Sequence, residues 1–400
     1  MCERFKLVSR AHEDKGWEIS ILSMEKAEKV RAFHESFPMY APTPLVSLKD
    51  TAKALGLGAV YVKDESWRFG LNAFKVLGGS YAIGSFLAEK LGIPMEEASY
   101  DLLVSPETRE KLGKITFVTA TDGNHGRGVA WAATRFGQRS VVYMPKGSAQ
   151  ERLENIRAAG ADASITELNY DGAVRLANSH AQEYGWTVIQ DTAWEGYEEI
   201  PTRIMQGYMT MGLEAHEQLP EKPTHIFLQA GVGSLAGAMT GLFSSIYGDE
   251  KPVIVIVEPN KADCLFRTAK ADDGKLHFVT GDMDTIMAGL ACGEPCTIAW
   301  EVLRDYADHF LSCPDYAAAQ GMRLLARPAG EDTAIISGES GAATFGALAE
   351  LMTDPRQADI RKAIGLDEHS RVLCFSTEGA TDRENYHAVV NEGKYPREQI

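Results

Sequence analysis

His225-Ile226-Phe227-Leu228-Gln229-Ala230 runs directly into Gly231-Val232-Gly233-Ser234-Leu235-Ala236-Gly237. The first half is a short apolar run of strand length. The second is a glycine turn that opens a helix of small residues. Glycines let backbone N–H groups crowd an anion, and a helix start adds a favourable dipole, so the turn predicts phosphate binding. A tight strand-to-helix turn with no ligand is the plainer alternative. A dinucleotide site is a further one, with Glu258 ending the next strand, but the spacing is GxGxxxG rather than GxGxxG.

Working outward, further short β-branched runs occur at 60–63, 115–119, 140–144, 187–190, 253–257 and 372–375. Several are apolar without alternation, which predicts strands covered on both faces. Helical patterns lie between them at 150–159, 172–184, 202–219 and 341–352, the first two closed by Gly160 and Gly185. Alternating strands and helices predict a doubly wound α/β fold with a mainly parallel sheet, whose ligands sit at the carboxyl ends of the strands.

Composition sets the class. Of the 400 residues 44% are hydrophobic and 24% charged, which fits a folded protein and excludes wholesale disorder. The net charge of −16 argues against nucleic acid and anionic membrane surfaces as partners. No apolar run approaches the roughly 20 residues that span a bilayer, and the charge-dotted opening, MCERFKLVSRAHEDKGWE, is no secretory signal. The six cysteines (Cys2, Cys264, Cys292, Cys296, Cys313, Cys374) include no CxxC pair. They predict reduced thiols in a cytoplasmic protein and no metal site; spacing alone leaves a Cys264–Cys292 pair open.

Two more loops concentrate chemistry. In Phe74-Lys75-Val76-Leu77-Gly78-Gly79 one lysine sits among small and apolar residues. Apolar surroundings favour the neutral amine, a nucleophile suited to Schiff-base chemistry, although most lysines are solvated surface residues. Thr121-Asp122-Gly123-Asn124-His125-Gly126 follows an apolar strand and gathers a hydroxyl, a carboxylate, an amide and an imidazole. Here Asp122 as a helix cap and His125 as a structural hydrogen-bonder are the bland readings.

These three segments, with Gln190-Asp191-Thr192-Ala193-Trp194-Glu195-Gly196-Tyr197, Ser337-Gly338-Glu339-Ser340-Gly341-Ala342 and Ser376-Thr377-Glu378-Gly379, resemble the fold-type II pyridoxal-phosphate enzymes. That group includes the threonine dehydratases, threonine synthases and cysteine synthases, and the resemblance runs from about Pro42 to Tyr386. Within the group the chain is similar to the diaminopropionate ammonia-lyases. An acid, Asp122, stands at the variable position of the usual Ser-x-Gly-Asn-His loop.

The resemblance implies a tryptophan synthase β-like fold of two α/β domains with pyridoxal 5'-phosphate in the cleft. It implies a Schiff base on Lys75 and the cofactor phosphate on the backbone of Gly231, Val232, Gly233, Ser234 and Leu235. Asn124 meets the phenolic oxygen, and Ser376 or Thr377, Ser376 preferred, faces the pyridine nitrogen. The implied reaction is elimination from D- and L-2,3-diaminopropionate to pyruvate and two ammonia. Asp122 and Lys75 act as bases on opposite faces, with Asp191 binding the amino groups or assisting. An end-of-strand turn is the plainer role for Asp191. The backbone and hydroxyl of Thr121, Asp122, Gly123 and Asn124 would receive the substrate carboxylate, with His125 either contacting it or only bracing the loop, and Tyr170, Trp194 and Tyr197 are candidates to line the pocket. The expected domains are 1–85 plus 200–400, and 86–199. The expected assembly is a cytoplasmic homodimer acting on a small amino acid. Serine or threonine dehydratase, threonine synthase, an NAD-dependent oxidoreductase using the glycines between Gly231 and Gly237, and a non-catalytic amino-acid binder are the rival readings.

Overall fold

The computed structural model describes residues 4–10 and 19–397; Cys2 and residues 11–18 of the opening segment lie outside them. Eleven strands are seen: β1 Lys6–Ser9, β2 Leu45–Ser47, β3 Ala59–Asp64, β4 Thr116–Ala120, β5 Arg139–Met144, β6 Asp162–Ile165, β7 Thr187–Val188, β8 His225–Gln229, β9 Val253–Pro259, β10 His309–Cys313 and β11 Arg371–Ser376 among the described residues. They form a seven-stranded sheet of order β1-β10-β9-β8-β11-β3-β2 and a four-stranded sheet of order β6-β5-β4-β7. The inner strands of the large sheet are parallel, and only the edges β1 and β2 pair antiparallel. The small sheet is parallel throughout. Both are α/β sheets, as the alternation of runs predicts.

The large sheet is buried on both faces, which is why its strands do not alternate. Ile254, Ile256, Ile226 and Leu373 point into one apolar layer, while Val255, Val257, Phe227 and Val372 point into the other. The expected apolar runs all appear as strands within a residue or two, except that β7 stops at Val188. There the side chain of Gln190 takes over the pairing. Its Oε1 accepts from the Ala120 N–H at 3.0 Å and its Nε2 donates to the Ala120 carbonyl at 3.2 Å. A side-chain amide thus stands in for a ladder rung, and the backbone is free to turn at Asp191.

Three helices fix the geometry of the cleft. Val76–Leu91, whose N-cap is Lys75, packs on Asn124–Arg135 from the small-sheet segment and on Glu199–Gln218 from the other side. The contacts are close because glycines make them. A Cβ on Gly128 would lie 2.8 Å from Val76 Cα, and one on Gly207 would lie 2.5 Å from the Leu77 carbonyl oxygen. The expected boundary at 85 and 86 falls inside this shared helix. Among the described residues no helix is long and apolar enough to cross a membrane.

Candidate active site

Strands β8, β11 and β3 are neighbours in the large sheet, and β4 and β7 are neighbours in the small one. The loops leaving their carboxyl ends line one cavity, which collects Lys75, Asp122, Asn124, Asp191, the turn of Gly231 to Leu235, Thr377 and Glu378. Residues far apart in the chain therefore converge because their strands are adjacent.

Lys75 Nζ donates to Asp191 Oδ2 at 2.8 Å. Burial alone would lower the lysine pKa, but the carboxylates of Asp191 and Asp122 reverse that and hold it well above its ordinary range. Apolar neighbours are present, but two carboxylates outweigh them in setting the charge of the lysine while its amine is free. Burial likewise opposes ionisation of Asp191, yet the adjoining His125 ring and Lys75 ammonium keep its carboxyl well below the usual range. Tyr170 Oη donates to Asp191 Oδ1 at 3.2 Å. Both oxygens of Asp191 thus serve the cavity rather than the turn of Thr192 and Ala193.

The turn after β8 has the form expected of an anion cradle. Gly233 sits at φ +105°, a backbone region that disfavours side chains, and precedes the Ser234–Tyr247 helix. No backbone N–H from Gly231 to Leu235 donates to another backbone carbonyl among the described residues. The Ser234 hydroxyl is engaged by the Asp191 carbonyl. Glu258 is not available for a ribose. Its two oxygens accept from the N–H groups of Leu265 and Phe266 at 2.8 and 2.6 Å, capping the Cys264–Ala271 helix. The dinucleotide alternative loses its acid to that cap.

Of the two hydroxyls after β11, Thr377 lines the cavity and Ser376 does not. Ser376 Oγ donates to Ser337 Oγ at 2.8 Å in the interior, which corrects the preference for Ser376. Thr377 Oγ1 accepts from Gln229 Nε2 at 3.0 Å and so keeps its own proton to offer.

The Asp122 loop divides into a facing part and a bracing part. Asp122 and Asn124 line the cavity, and Asn124 Nδ2 donates to Glu378 Oε2. Asp122 makes no cap, since the N-cap position of the following helix is Gly123 and carries no side-chain bond. Thr121, Gly123 and His125 lie behind. Thr121 Oγ1 accepts from the N–H groups of Gly123 and Gly126 at 2.9 and 3.0 Å. His125 is buried, and that burial pushes its pKa down. Its Nε2 donates to the Ile189 carbonyl at 2.7 Å, leaving Nδ1 bare and 3.8 Å from Asp191 Oδ2. Of the three aromatic candidates Tyr170 lines the cavity, while Trp194 and Tyr197 stack on each other 4.3 Å apart.

Cys264 and Cys292 are free thiols, and Cys292 reaches the cavity wall. Glu378, Gln229, Tyr208 and Ser340 also line it and were not singled out from the sequence. Glu378 lay in a quoted motif; its partner Asn124 is 254 residues away, which no local pattern reveals.

A family model described as "Pyridoxal-phosphate dependent enzyme" matches residues 37–375. The diaminopropionate ammonia-lyase of Salmonella typhimurium is 54% identical over 384 residues, covering 95% of each chain. The crystal structure of selenomethionine-incorporated holo diaminopropionate ammonia-lyase from Escherichia coli superposes with a TM-score of 0.93 at 46% identity, covering 100% of both chains. The structure of the E. coli enzyme in complex with D-serine gives 0.92 at 46% identity, covering 99% of both. With its paired lysine, its unengaged glycine turn and relatives aligned along its whole length, the chain belongs to the pyridoxal-phosphate-dependent enzymes and, among them, to the diaminopropionate ammonia-lyase family.

Proposed function

We propose that the chain eliminates ammonia from D- and L-2,3-diaminopropionate, yielding pyruvate and a second ammonia after hydrolysis by one water. The observation that carries this is the Lys75–Asp191 pair at 2.8 Å beside Asp122, in a cavity floored by the glycine turn.

The cavity fits pyridoxal phosphate. A Cβ on Gly231 would come within 3.2 Å of Cys292 Sγ and Leu290 Cα, so the turn is open only because it is glycine. On this reading the N–H groups of Gly231 to Leu235 hold the phosphate, Lys75 takes the carbonyl, Asn124 the phenolic oxygen and Thr377 Oγ1 the ring nitrogen. When bound, the cofactor offers an electrophilic carbonyl and a ring that accepts the electron pair released at Cα.

The chain's own residues then do the proton work. Asp122 removes the Cα proton of the D enantiomer and Lys75 that of the L enantiomer. Asp191 orients the Lys75 amine and takes up its charge when it is protonated. Ammonia is a poor leaving group unless it departs protonated. Asp122, Asp191 and Glu378 line the wall and favour a substrate that carries a β-ammonium over one with a β-hydroxyl. The substrate carboxylate meets the start of the Asn124–Arg135 helix, where the dipole favours an anion. The small domain of about 86–199, its boundary taken past the end of the Val76–Leu91 helix, moves against the rest of the chain to admit substrate. The working form is a cytoplasmic homodimer, which sedimentation and cell fractionation test.

The decisive assay follows pyruvate release from each diaminopropionate enantiomer beside D-serine, L-serine and L-threonine, with borohydride trapping of the cofactor. The expected result is turnover of both diaminopropionates ahead of the hydroxyamino acids, and a reduced label on Lys75. A preference for serine or threonine, or a label elsewhere, would overturn the proposal.

A further inference from the structure

Asp122 sits on a loop of the small-sheet segment, yet the carboxylate must be held across the cleft. A Cβ on Gly289, which belongs to the large-sheet part of the chain, would lie 3.4 Å from Asp122 Oδ2. Something must fix the loop at that reach. Its backbone is braced from within by the Thr121 hydroxyl and tied to the small sheet by the Thr121 N–H, which donates to the Tyr143 carbonyl at 2.9 Å.

The structure supplies one buried link from beneath. Arg152, on the Gln150–Ala158 helix, is 6% exposed, and its Nη2 donates to Glu339 Oε1, a carboxylate 2% exposed. The arginine stem lies against the loop. A Cβ on Gly123 would meet Arg152 Cδ at 3.0 Å and Cγ at 3.4 Å, directly under the peptide that follows Asp122. From Glu339 the contacts continue around the cleft. The N–H of the next residue, Ser340, donates to Glu378 Oε1 at 3.0 Å, and Glu378 Oε2 accepts from Asn124. The circuit closes on the loop where it began. Burial lowers the Arg152 pKa, but Glu339, Glu378 and Asp122 more than reverse this, so the guanidinium stays charged. The neighbouring Glu151 pairs with Arg383, whose side chain is 81% exposed; a pair so open to solvent holds little. The buried pair, with the Asn124–Glu378 bond above it, therefore ties the loop to the large-sheet part of the chain.

We propose that Arg152 and Glu339 are positioning residues for the D-specific half of the reaction, holding the Asp122 loop against the large-sheet part of the chain. This rests on Asp122 being the base for the D enantiomer. Neither residue touches substrate; each acts through the loop. Loss of the pair lets Asp122 drift from the Cα proton, while Lys75 stays fixed between its own packed helices.

The test measures kcat and KM on each enantiomer for Arg152→Gln, Arg152→Lys, Glu339→Gln and Asp122→Asn holoenzymes, with cofactor absorbance and thermal midpoint as checks of folding. For Arg152→Gln and Glu339→Gln the ratio of kcat on D to kcat on L should fall about tenfold, because small misplacements of a reacting group are costly. Arg152→Lys should recover part of the ratio, and KM should change less than kcat. A merely structural role would slow both enantiomers alike. An unchanged ratio in the Arg152 and Glu339 variants, beside an Asp122→Asn enzyme that has lost D activity alone, overturns the positioning role and leaves the base assignment standing. An Asp122→Asn enzyme slowed equally on both enantiomers overturns both.

Discussion

At the scale of single residues, the two acids near Lys75 do different things and should fail differently. Asp191 meets Lys75 Nζ at 2.8 Å and Tyr170 Oη at 3.2 Å, so it governs the charge and aim of the amine that serves every turnover. Asp191→Asn should lower kcat on both enantiomers together, by about a hundredfold, the scale of a lost acid–base partner. Steady-state kinetics on each enantiomer checks this against the one-sided loss expected of Asp122→Asn. The hydroxyls after β11 make a second contrast. Thr377→Val removes a cavity-facing donor and should change kcat and the cofactor's absorbance. Ser376→Ala removes an interior bond to Ser337 and should cost about 1 kcal/mol of stability with little effect on rate, read by thermal melts. Lys75, Asp122 and the glycine turn were legible in the sequence because each is an odd residue type in a post-strand loop. The choice between Ser376 and Thr377 was not, because adjacent residues of a strand end point to opposite sides and only packing says which side is the cavity. Arg152 was illegible for another reason: it looks like an ordinary surface charge, and its partner Glu339, though inside a quoted motif, stands 187 residues away.

At the scale of elements, Lys75 is placed by helices that touch through glycine. A Cβ on Gly128 would lie 2.8 Å from Val76 Cα and 2.9 Å from Val76 N, and backbone atoms cannot swing aside. Gly128→Ala should therefore part the two helices at the residue next to Lys75. We expect a loss of about 1–3 kcal/mol, typical of overpacking, together with weaker cofactor binding. Cofactor titration and thermal melts of the apo and holo forms check both. The fully buried parallel strands were readable as unbroken apolar runs. Four strands were not. β1, β2 and β6 are short and partly exposed edges, and β10 reads His-Phe-Leu-Ser-Cys, where a histidine and a serine interrupt an interior strand. Ser312 is tolerated there because its hydroxyl donates to Asp263 at 2.9 Å, a long-range contact. The early end of β7 belongs to the same class, since a side-chain amide at Gln190 does the work of a ladder rung.

At the scale of the whole molecule, the parts that position Lys75 also set how the protein meets acid. Behind the site lies a buried charge network in which Arg68 donates to both Glu65 and Glu214, and Lys63 reaches Glu214 at 2.7 Å. Burial works against the charge of Glu214, but Arg68 and Lys63 outweigh it and bring its pKa down to about 2. His34 is buried nearby, with one ring nitrogen 2.7 Å from Thr210 Oγ1 and the other 3.1 Å from the Leu77 carbonyl of the Lys75 helix. Burial and the neighbouring Arg68 push its pKa down to about 3, so it folds neutral. In the unfolded chain His34 takes a proton below about pH 6.5. The unfolded state then binds more protons, and stability falls as pH drops from 6.5 toward 3, by an amount on the order of 5 kcal/mol for a shift of this size. Glu214 adds a second fall. Its contribution is complete above about 4.5, the ordinary glutamate value, and is lost as pH drops toward 2. His34 contributes a decline below pH 6.5, a direction it shares with His125 and His225, whose burial also lowers their pKa, and Glu214 contributes a second decline toward pH 2. His34→Gln keeps an amide donor for the Leu77 carbonyl and removes the titrating group. It should lower stability at pH 7 yet flatten the decline between pH 6.5 and 4.5. Urea midpoints of the holoenzyme measured across that range test the assignment, and a slope that is unchanged in the variant would place the proton uptake on another residue.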